Sequence, residues 1–350
     1  MLKRFIAPII TAGLWILLSI SLTWAGDAPA TLVLMTHDSF DVSRKVIEAF
    51  ESENHVKLKV LKSGDAGAAL NQAILAKGNP LADLFFGVDT TFMSRALKAD
   101  IFQPYRSPQL AQIPDTLKLD PEYRLLPVDY GDVCLNYDKK WFAEKAIAPP
   151  EHLDDLLKPA YKGLTVVENP ATSSPGLAFL LTTVGHYGDP GFLDFWKRLR
   201  ANDVLVTDGW EAAYWSHFSA ASDGNRPIVV SYASSPSAEV FYSEKTLSEA
   251  PTRAVTSPGA AFRQIEFVGI LKGTQQPQLA RKLVDFMLSK TFQEDIPLKM
   301  FVFPANRSAA LPKVFERYAE LAKQPVQVDP SAIDTHREQW IEQWTETVLH

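Results

Sequence analysis

The stretch LLPVDYGDVCLNY, residues 125–137, decides the fold of this chain. It is a long run with extended character. A second run of this kind, GAAFRQIEFVGILKG, occupies residues 259–273. Each run is longer than a connection between domains needs to be. We therefore expect two long strands, on one of which the chain crosses to a second lobe and on the other of which it returns.

Strands alternate with helices on both sides of residues 125–137. Before that run, strands are predicted in TLVLM (31–35), HVKLKVLKS (55–63) and ADLFFGV (82–88), with helical spacing of apolar residues between them. After it, GLTVVENP, VLVTDG and RPIVVSYAS alternate with helices in the same way. This order is typical of an α/β fold with a largely parallel sheet.

The pattern predicts two lobes with a cleft and a hinge between them. The chain's length of 350 residues is typical of about two domains. We expect lobe 1 to comprise residues 31–130 plus 272–350, and lobe 2 to comprise residues 131–271. The last helix, predicted in DTHREQWIEQWTETV, is assigned to lobe 1.

The first 25 residues have the pattern of a secretory signal peptide. Lys3 and Arg4 precede an apolar run, residues 5–22, and small residues stand before the expected cleavage site after Ala25. The run is also long enough for a retained membrane anchor, but the small residues before the expected cleavage site favour removal of the segment. The sequence thus predicts an exported, periplasmic protein.

Charge and cysteine content limit the partners and the redox chemistry. Loss of residues 1–25 would change the formal net charge from −6 to −8, which argues against a nucleic-acid partner. A single cysteine, Cys134, allows no internal disulfide. It lies in an apolar run and is predicted to be a buried hydrophobic residue.

The stretch NPATSSPGLAF, residues 169–179, follows a predicted strand and opens a predicted helix. Ser174 is expected to be the N-cap, with Pro175 at the first helical position. Other hydroxyls precede it, and a helix N-terminus attracts anions such as phosphate. A phosphate site at Ser173–Ser174 and a capping role alone both remain open from the residues.

The same pattern, Ser-Ser-Pro at a predicted helix start, recurs in SYASSPSAEVFY, residues 231–242. Tyr232 ends a predicted strand, and Ser234 and Ser235 precede Pro236. Two Ser-Ser-Pro helix starts, each after a strand, should lie on the same edge of one sheet. Together they favour a pocket lined by hydroxyl groups.

In TDGWEAAYW, residues 207–215, Trp210 and Tyr214 are four residues apart and share a helix face. Such a pair is often part of a core. Trp210, however, stands at the helix start beside the serine-rich edge, where its ring could stack on a flat or cationic ligand.

Polar residues also follow the strands of the first half, at the strand ends where α/β sheets bind ligands. They are His37, Asp38, Ser39, Asp65 and Asp89. The set His37-Asp38-Ser39 contains nucleophile and base types, but sequence neighbours rarely form a catalytic triad.

The sequence contains no Gly-rich phosphate loop and no HExxH, CxxC or GxSxG motif, and its seven histidines are scattered. We therefore predict no catalytic residues, no metal site and no cofactor.

Taken in order, several stretches resemble the thiamine-binding periplasmic proteins of bacterial ABC importers, a branch of the two-lobed solute-binding proteins. They are HDSF, ADLFFGVD, PVDYGDVCLNYDK, NPATSSPGLAFLL, TDGWEAAYW, VVSYASSPSAEVF, LVDFMLSKTFQEDIP and REQWIEQW. The resemblance implies a type II periplasmic-binding-protein fold with hinge strands and a ligand cleft between lobes. It also implies thiamine or a thiamine phosphate as ligand, and an ABC permease of the inner membrane as partner.

The resemblance places ligand contacts at Asp65, Ala66, Ser173, Ser174, Trp210, Tyr232, Ala233, Ser234 and Ser235. His37, Asp38, Asp89 and Tyr214 are additional candidates. Two positions depart from the family pattern, because Ala66 replaces a glycine and His37 stands where a tyrosine is common.

Two other kinds of function stay open. A two-lobed binder of iron would favour adjacent tyrosines near Tyr232, and a binder of a polyamine would need more carboxylates in the second lobe's part of the cleft. An exported hydrolase using Ser173 or Ser39 would need a base at recognisable spacing, which the sequence lacks.

Overall fold

The computed structural model describes residues 29–243 and 246–350. The predicted signal peptide, residues 1–25, lies outside the described residues. Among the residues described, no helix combines the length and apolar character needed to cross a membrane.

The strands join into one continuous sheet. They are β1 (Ala30–Thr36), β2 (Val56–Lys62), β3 (Leu84–Asp89), β4 (Phe102–Gln103), β5 (Leu126–Asp138), β6 (Thr165–Glu168), β7 (Leu205–Thr207), β8 (Ile228–Tyr232), β9 (Thr252–Ala254), β10 (Ala261–Leu271) and β11 (Phe303–Pro304). The main order is β2-β1-β3-β10-β5-β8-β6-β7, with β4 beside β10 and with β9 and β11 beside β5.

The two long extended runs of the sequence form β5 and β10, as predicted. They pair antiparallel at the centre of the sheet, from Ala261 opposite Cys134 to Val268 opposite Leu126. On one side β1, β2 and β3 are parallel, and on the other side β6, β7 and β8 are parallel. Two α/β halves therefore flank two shared strands.

Cys134 is a buried free thiol, as expected, and burial raises its pKa.

Helices cover both halves. They are α1 (Arg44–Asn54), α2 (Ala66–Leu75), α3 (Met93–Lys98), α4 (Lys139–Lys145), α5 (Ser174–Tyr187), α6 (Gly191–Ala201), α7 (Trp210–Ala212), α8 (Ser235–Phe241), α9 (Pro277–Met287), α10 (Lys290–Gln293), α11 (Ile296–Lys299), α12 (Lys313–Tyr318) and α13 (Pro330–Val348). Short 3-10 turns lie at Pro108–Gln112, Asp115–Leu117, Leu153–Leu157 and Pro159–Tyr161.

The helix α5 is the central helix of its half. Residues 174–184 are all buried, which is typical of a helix surrounded by other elements. It packs on β5, β6, β8 and β10 and on α6. Its N-terminus lies at the carboxyl end of β6, because the helix follows that strand directly. The packing of α5 therefore holds the serine-rich stretch in place.

Candidate functional site

A cavity of about 220 Å³ lies where the strand ends of both halves meet. Most of the predicted site residues line it, namely His37, Asp38, Asp65, Ala66, Ser174, Trp210, Tyr214, Tyr232 and Ser235. The two Ser-Ser-Pro helix starts lie on the same edge, as predicted, because they follow the adjacent parallel strands β6 and β8. The sheet edge that the sequence predicts as a ligand site thus forms one wall of this cavity.

Four of the predicted residues lie behind the cavity wall. Ser173 and Ala233 are fully buried, Ser234 donates its hydroxyl hydrogen bond to the carbonyl of Phe301, and Asp89 is buried at the end of β3. The main-chain N–H of Ala233 donates to the carbonyl of Asp132 at 2.8 Å. These polar groups support the wall.

The start of α5 differs from the expectation by one residue, and the difference changes the role of both serines. Ser173, and not Ser174, is the N-cap, since its hydroxyl accepts from the N–H of Gly176 at 3.4 Å. Pro175 is therefore the second helical residue. The hydroxyl of Ser174 donates instead to the carboxylate of Asp89 and accepts from Nε2 of Gln264 at 2.5 Å.

Gly176 lets α5 begin this close to the end of β6. A Cβ atom at this position would lie 2.6 Å from the carbonyl oxygen of Glu168. Any other residue would push the helix start away from the strand and move Ser174 with it.

Asp65 connects the two halves of the cleft. Its Oδ1 accepts from the N–H of Ala66 at 2.6 Å, and its Oδ2 accepts from the N–H of Trp210 at 2.9 Å. Burial raises the pKa of Asp65, while hydrogen bonds from these two N–H groups, the Ser173 hydroxyl and the Ser174 N–H act in the opposite direction. Gly209 permits this contact, because a Cβ there would lie 2.7 Å from Oδ2.

The aromatic wall is formed by Trp210 with Tyr214 behind it. Their rings stack with centroids 4.8 Å apart at 23°. The indole Nε1 of Trp210 donates to Oγ of Ser231 at 2.9 Å, and the hydroxyl of the buried Tyr214 donates to Glu239 at 2.5 Å. The indole ring is therefore held in one orientation at the cavity wall.

Tyr232 lies at the end of β8 with its ring against Gly131, where a Cβ would lie 3.0 Å from the ring. Its hydroxyl donates to Oε1 of Gln264 at 3.4 Å, and burial raises the pKa of Tyr232 well above its usual value. The neighbouring hydroxyls of Ser231 and Ser235 are 2.8 Å apart. Tyr232 thus presents a neutral ring to the cavity.

His37 packs against Gly87, which has a φ of +112°, and a Cβ at Gly87 would lie 2.6 Å from the imidazole Cδ2. Burial and the nearby charge of Lys62 lower the pKa of His37 to about 4, so the ring is neutral at physiological pH. Its Nε2 lies 3.5 Å from Oε1 of Glu266 and has no hydrogen-bond partner among the described residues. This contact is therefore not an ion pair.

Sequence reasoning missed part of the cavity wall. Glu266 of β10 lines the cavity, and so do Lys62, the last residue of α11 (Lys299) and the loop 300–302 between α11 and β11. A signal for Glu266 was present, because it is a carboxylate within an apolar strand run. The loop has no periodic pattern that could have revealed it.

Comparison with known proteins agrees with this architecture. Residues 79–325 match the family of bacterial extracellular solute-binding proteins. The chain belongs to this family.

Several individual proteins are similar to this solute-binding protein over nearly all of its length. The thiamine-binding periplasmic protein of Brucella suis is 32% identical over 334 residues, which cover 93% of this chain and 94% of that protein. The thiamine-binding periplasmic protein of Salmonella typhimurium is 30% identical over 326 residues, covering 92% and 94%. A solved periplasmic thiamin binding protein superposes with a TM-score of 0.80 at 27% identity, covering 91% of this chain and 96% of that one. The predicted two-lobed α/β fold with a ligand cleft is confirmed.

Proposed function

We propose that this solute-binding protein captures thiamine in the periplasm and delivers it to an ABC permease of the inner membrane. The observation that carries the proposal is one cavity between the halves in which an aromatic wall stands beside the buried Glu266 and the half-buried Asp65. The thiamine-binding proteins to which the chain is similar support the same ligand.

Thiamine offers a flat aminopyrimidine and a cationic thiazolium ring, and the cavity has a group for each. The face of Trp210 can stack on a flat or cationic ring, and Tyr232 offers a second aromatic surface. Asp65 and Glu266 supply carboxyl groups for the amino group and for the positive charge. This set of contacts binds the ligand without breaking a bond in it.

The location and the partner complete the proposal. Residues 1–25 would direct export and be removed, as the sequence predicts. Closure of the two halves over the ligand would then present one combined surface to the permease, since closure lets a permease distinguish the loaded protein from the empty one.

The structure bears on the phosphate esters as well. The N–H groups in the first turn of α5 are already used, because Ser174 donates to Asp65, Gly176 to the Ser173 hydroxyl and Leu177 to the Ser173 carbonyl. The carboxylates of Asp65 and Asp89 would also repel a phosphate there. We therefore propose that the unphosphorylated vitamin is the preferred ligand.

A fluorescence titration tests this function. Trp210 and Trp215 line the cavity, so a ligand stacked there should change the tryptophan emission of ligand-stripped mature protein. We expect a saturable change with micromolar thiamine and a weaker one with spermidine or ferric citrate. A response to spermidine or ferric citrate, with none to thiamine, would assign the cleft to a polyamine or to iron.

A further inference from the structure

Three carboxyl groups form a row across the centre of the sheet, defined as Asp89, Glu266 and Asp129. Glu266 of β10 lies directly opposite Asp89 of β3 on one side and Asp129 of β5 on the other. Directly opposed residues of antiparallel strands place their side chains on the same face, with Cβ atoms about 4.5–5.5 Å apart. Asp89 and Asp129 are fully buried, and Glu266 is 8% exposed. Like charges this close in a buried place repel strongly.

Elsewhere on β5 and β10, a buried carboxylate is neutralised by an arginine. Three residues along, Asp132 of β5 faces Arg263 of β10, and the guanidinium donates to both carboxylate oxygens at 2.7 Å. Asp129 has no such partner within residues 29–243 and 246–350, where neither of its buried oxygens takes part in a hydrogen bond. The row therefore lacks the cation that the neighbouring pair possesses.

The charged and titratable groups around the row are, from the surrounding elements, His37, Lys62, Asp65, Tyr232 and Arg337. The Nζ of Lys62 donates to the carbonyl of Asp38 at 2.7 Å, and Arg337 pairs with Glu338 at 2.5 Å. His37 is neutral, as described above. None of these groups supplies a positive charge in contact with Glu266 or Asp129.

The pKa values of the row indicate that protons compensate for that missing charge. Burial raises the pKa of Asp129 to about 8, and burial together with the neighbouring Asp129 and Asp89 raises the pKa of Glu266 well above its usual value. Glu266 and Asp129 lie directly opposite each other, so a proton on either carboxyl group removes the repulsion between them. Asp89 differs, because it accepts from Thr91, Phe92 and Ser174.

Glu266 is the member of the row that lines the cavity. A second feature points to a ligand at this place, namely the buried Nε2 of His37, which faces Glu266 at 3.5 Å without a hydrogen-bond partner. The cavity beside them is walled by the rings of Trp210 and Tyr232. A flat cation between these rings would lie against Glu266.

We propose that the row of Asp89, Glu266 and Asp129 is a proton-exchanging cation site, in which the fixed positive charge of the ligand replaces a proton held by Glu266 or Asp129. This inference rests on the proposed function, because thiamine supplies the fixed charge. One cation enters and one proton leaves to solvent, so the net charge of the cleft is unchanged. The site therefore selects a cationic ring over a neutral ring of the same shape.

Calorimetry tests the exchange directly. Thiamine is titrated into ligand-stripped mature protein at pH 7 in two buffers that differ in their heat of ionisation. The buffers take up any released proton, so we expect the two observed heats to differ by the difference in ionisation heat for about one proton per thiamine. Below the pKa of the Glu266–Asp129 pair, we expect the affinity for thiamine to increase by up to about tenfold for each unit by which the pH is raised. Binding with identical heats in both buffers would overturn the inference and leave the proposed function intact. Failure of thiamine to bind at all would instead contradict the proposed function.

Variants separate the site from general effects. Glu266→Gln keeps the shape but cannot gain a negative charge, so we expect weaker thiamine binding and no proton release. Asp129→Asn should move the proton release to lower pH while cation binding persists, and it serves as the second test if the first variant does not fold. Glu53→Gln, an exposed change on α1, is the matched control and should behave as wild type.

A neutral isostere of thiamine, with a thiophene ring in place of the thiazolium, provides the last arm. Wild-type protein should bind it at least about tenfold more weakly than thiamine and without proton release. Equal affinity for both compounds, or proton release by Glu266→Gln equal to that of wild type, would contradict the exchange.

Discussion

At the scale of single residues, a shift by one position decides what a side chain does. The sequence placed the cap at Ser174, and both serines were candidates for a phosphate. Because Ser173 is the cap, Ser174 is free to bond Asp89, and the helix start is occupied by Asp65. Sequence patterns predict that a serine caps this helix. They could not assign the cap to one serine, since that depends on how closely Gly176 approaches Glu168.

Ser174→Ala tests the role of this serine. The change removes the hydrogen bonds to Asp89 and Gln264 at the cavity wall, so we expect the affinities for thiamine and for thiamine monophosphate to fall by a similar factor, about threefold to tenfold. Competition binding of both compounds to the same protein preparation measures the ratio. A loss confined to the monophosphate would place the phosphate at the start of α5.

At the scale of elements, the long strands were predictable and the segment after Trp210 was not. β5 and β10 are buried along most of their length, so their apolar runs carried a clear signal. Trp210 and Tyr214 were predicted to share a face of one helix, but α7 is a single turn that continues as a π-helix, Ala213–His217. Tyr214 and Phe218 pack into one core cluster there, and this tertiary contact overrides the helical pattern.

The helix α13 contacts both halves of the molecule. Trp344 packs edge to face on Trp196 of α6 with centroids 5.5 Å apart, and Asp334 pairs with Lys98 of α3 at 2.8 Å. The division into residues 31–130 plus 272–350 and residues 131–271 stays a prediction. The position of α13 indicates a helix that braces both halves.

Trp344→Ala should lower the free energy of unfolding by about 3–5 kcal/mol, because it removes a fully buried indole ring from the contact with α6. Glu342→Ala, an exposed change on the same helix, should alter it by less than about 0.5 kcal/mol. Denaturant unfolding followed by circular dichroism measures both. If Trp344→Ala is no more destabilising than the control, α13 does not brace the fold.

At the scale of the whole molecule, two α/β halves share the strands β5 and β10, and the ligand cavity lies beside those strands. Glu266 and Asp129, which sequence reasoning missed, lie on the shared strands themselves. The cavity therefore draws on both halves and on the connection between them. A ligand that contacts Asp65, Trp210 and Glu266 at once would hold the halves together, which is the change that a permease could recognise.

The most direct test of the central claim is a crystal structure of the mature protein grown with thiamine. We expect one thiamine in the cavity between the halves, with a ring stacked on Trp210 and the thiazolium against Glu266. An empty cavity at saturating thiamine, or thiamine bound only elsewhere on the surface, would contradict the account.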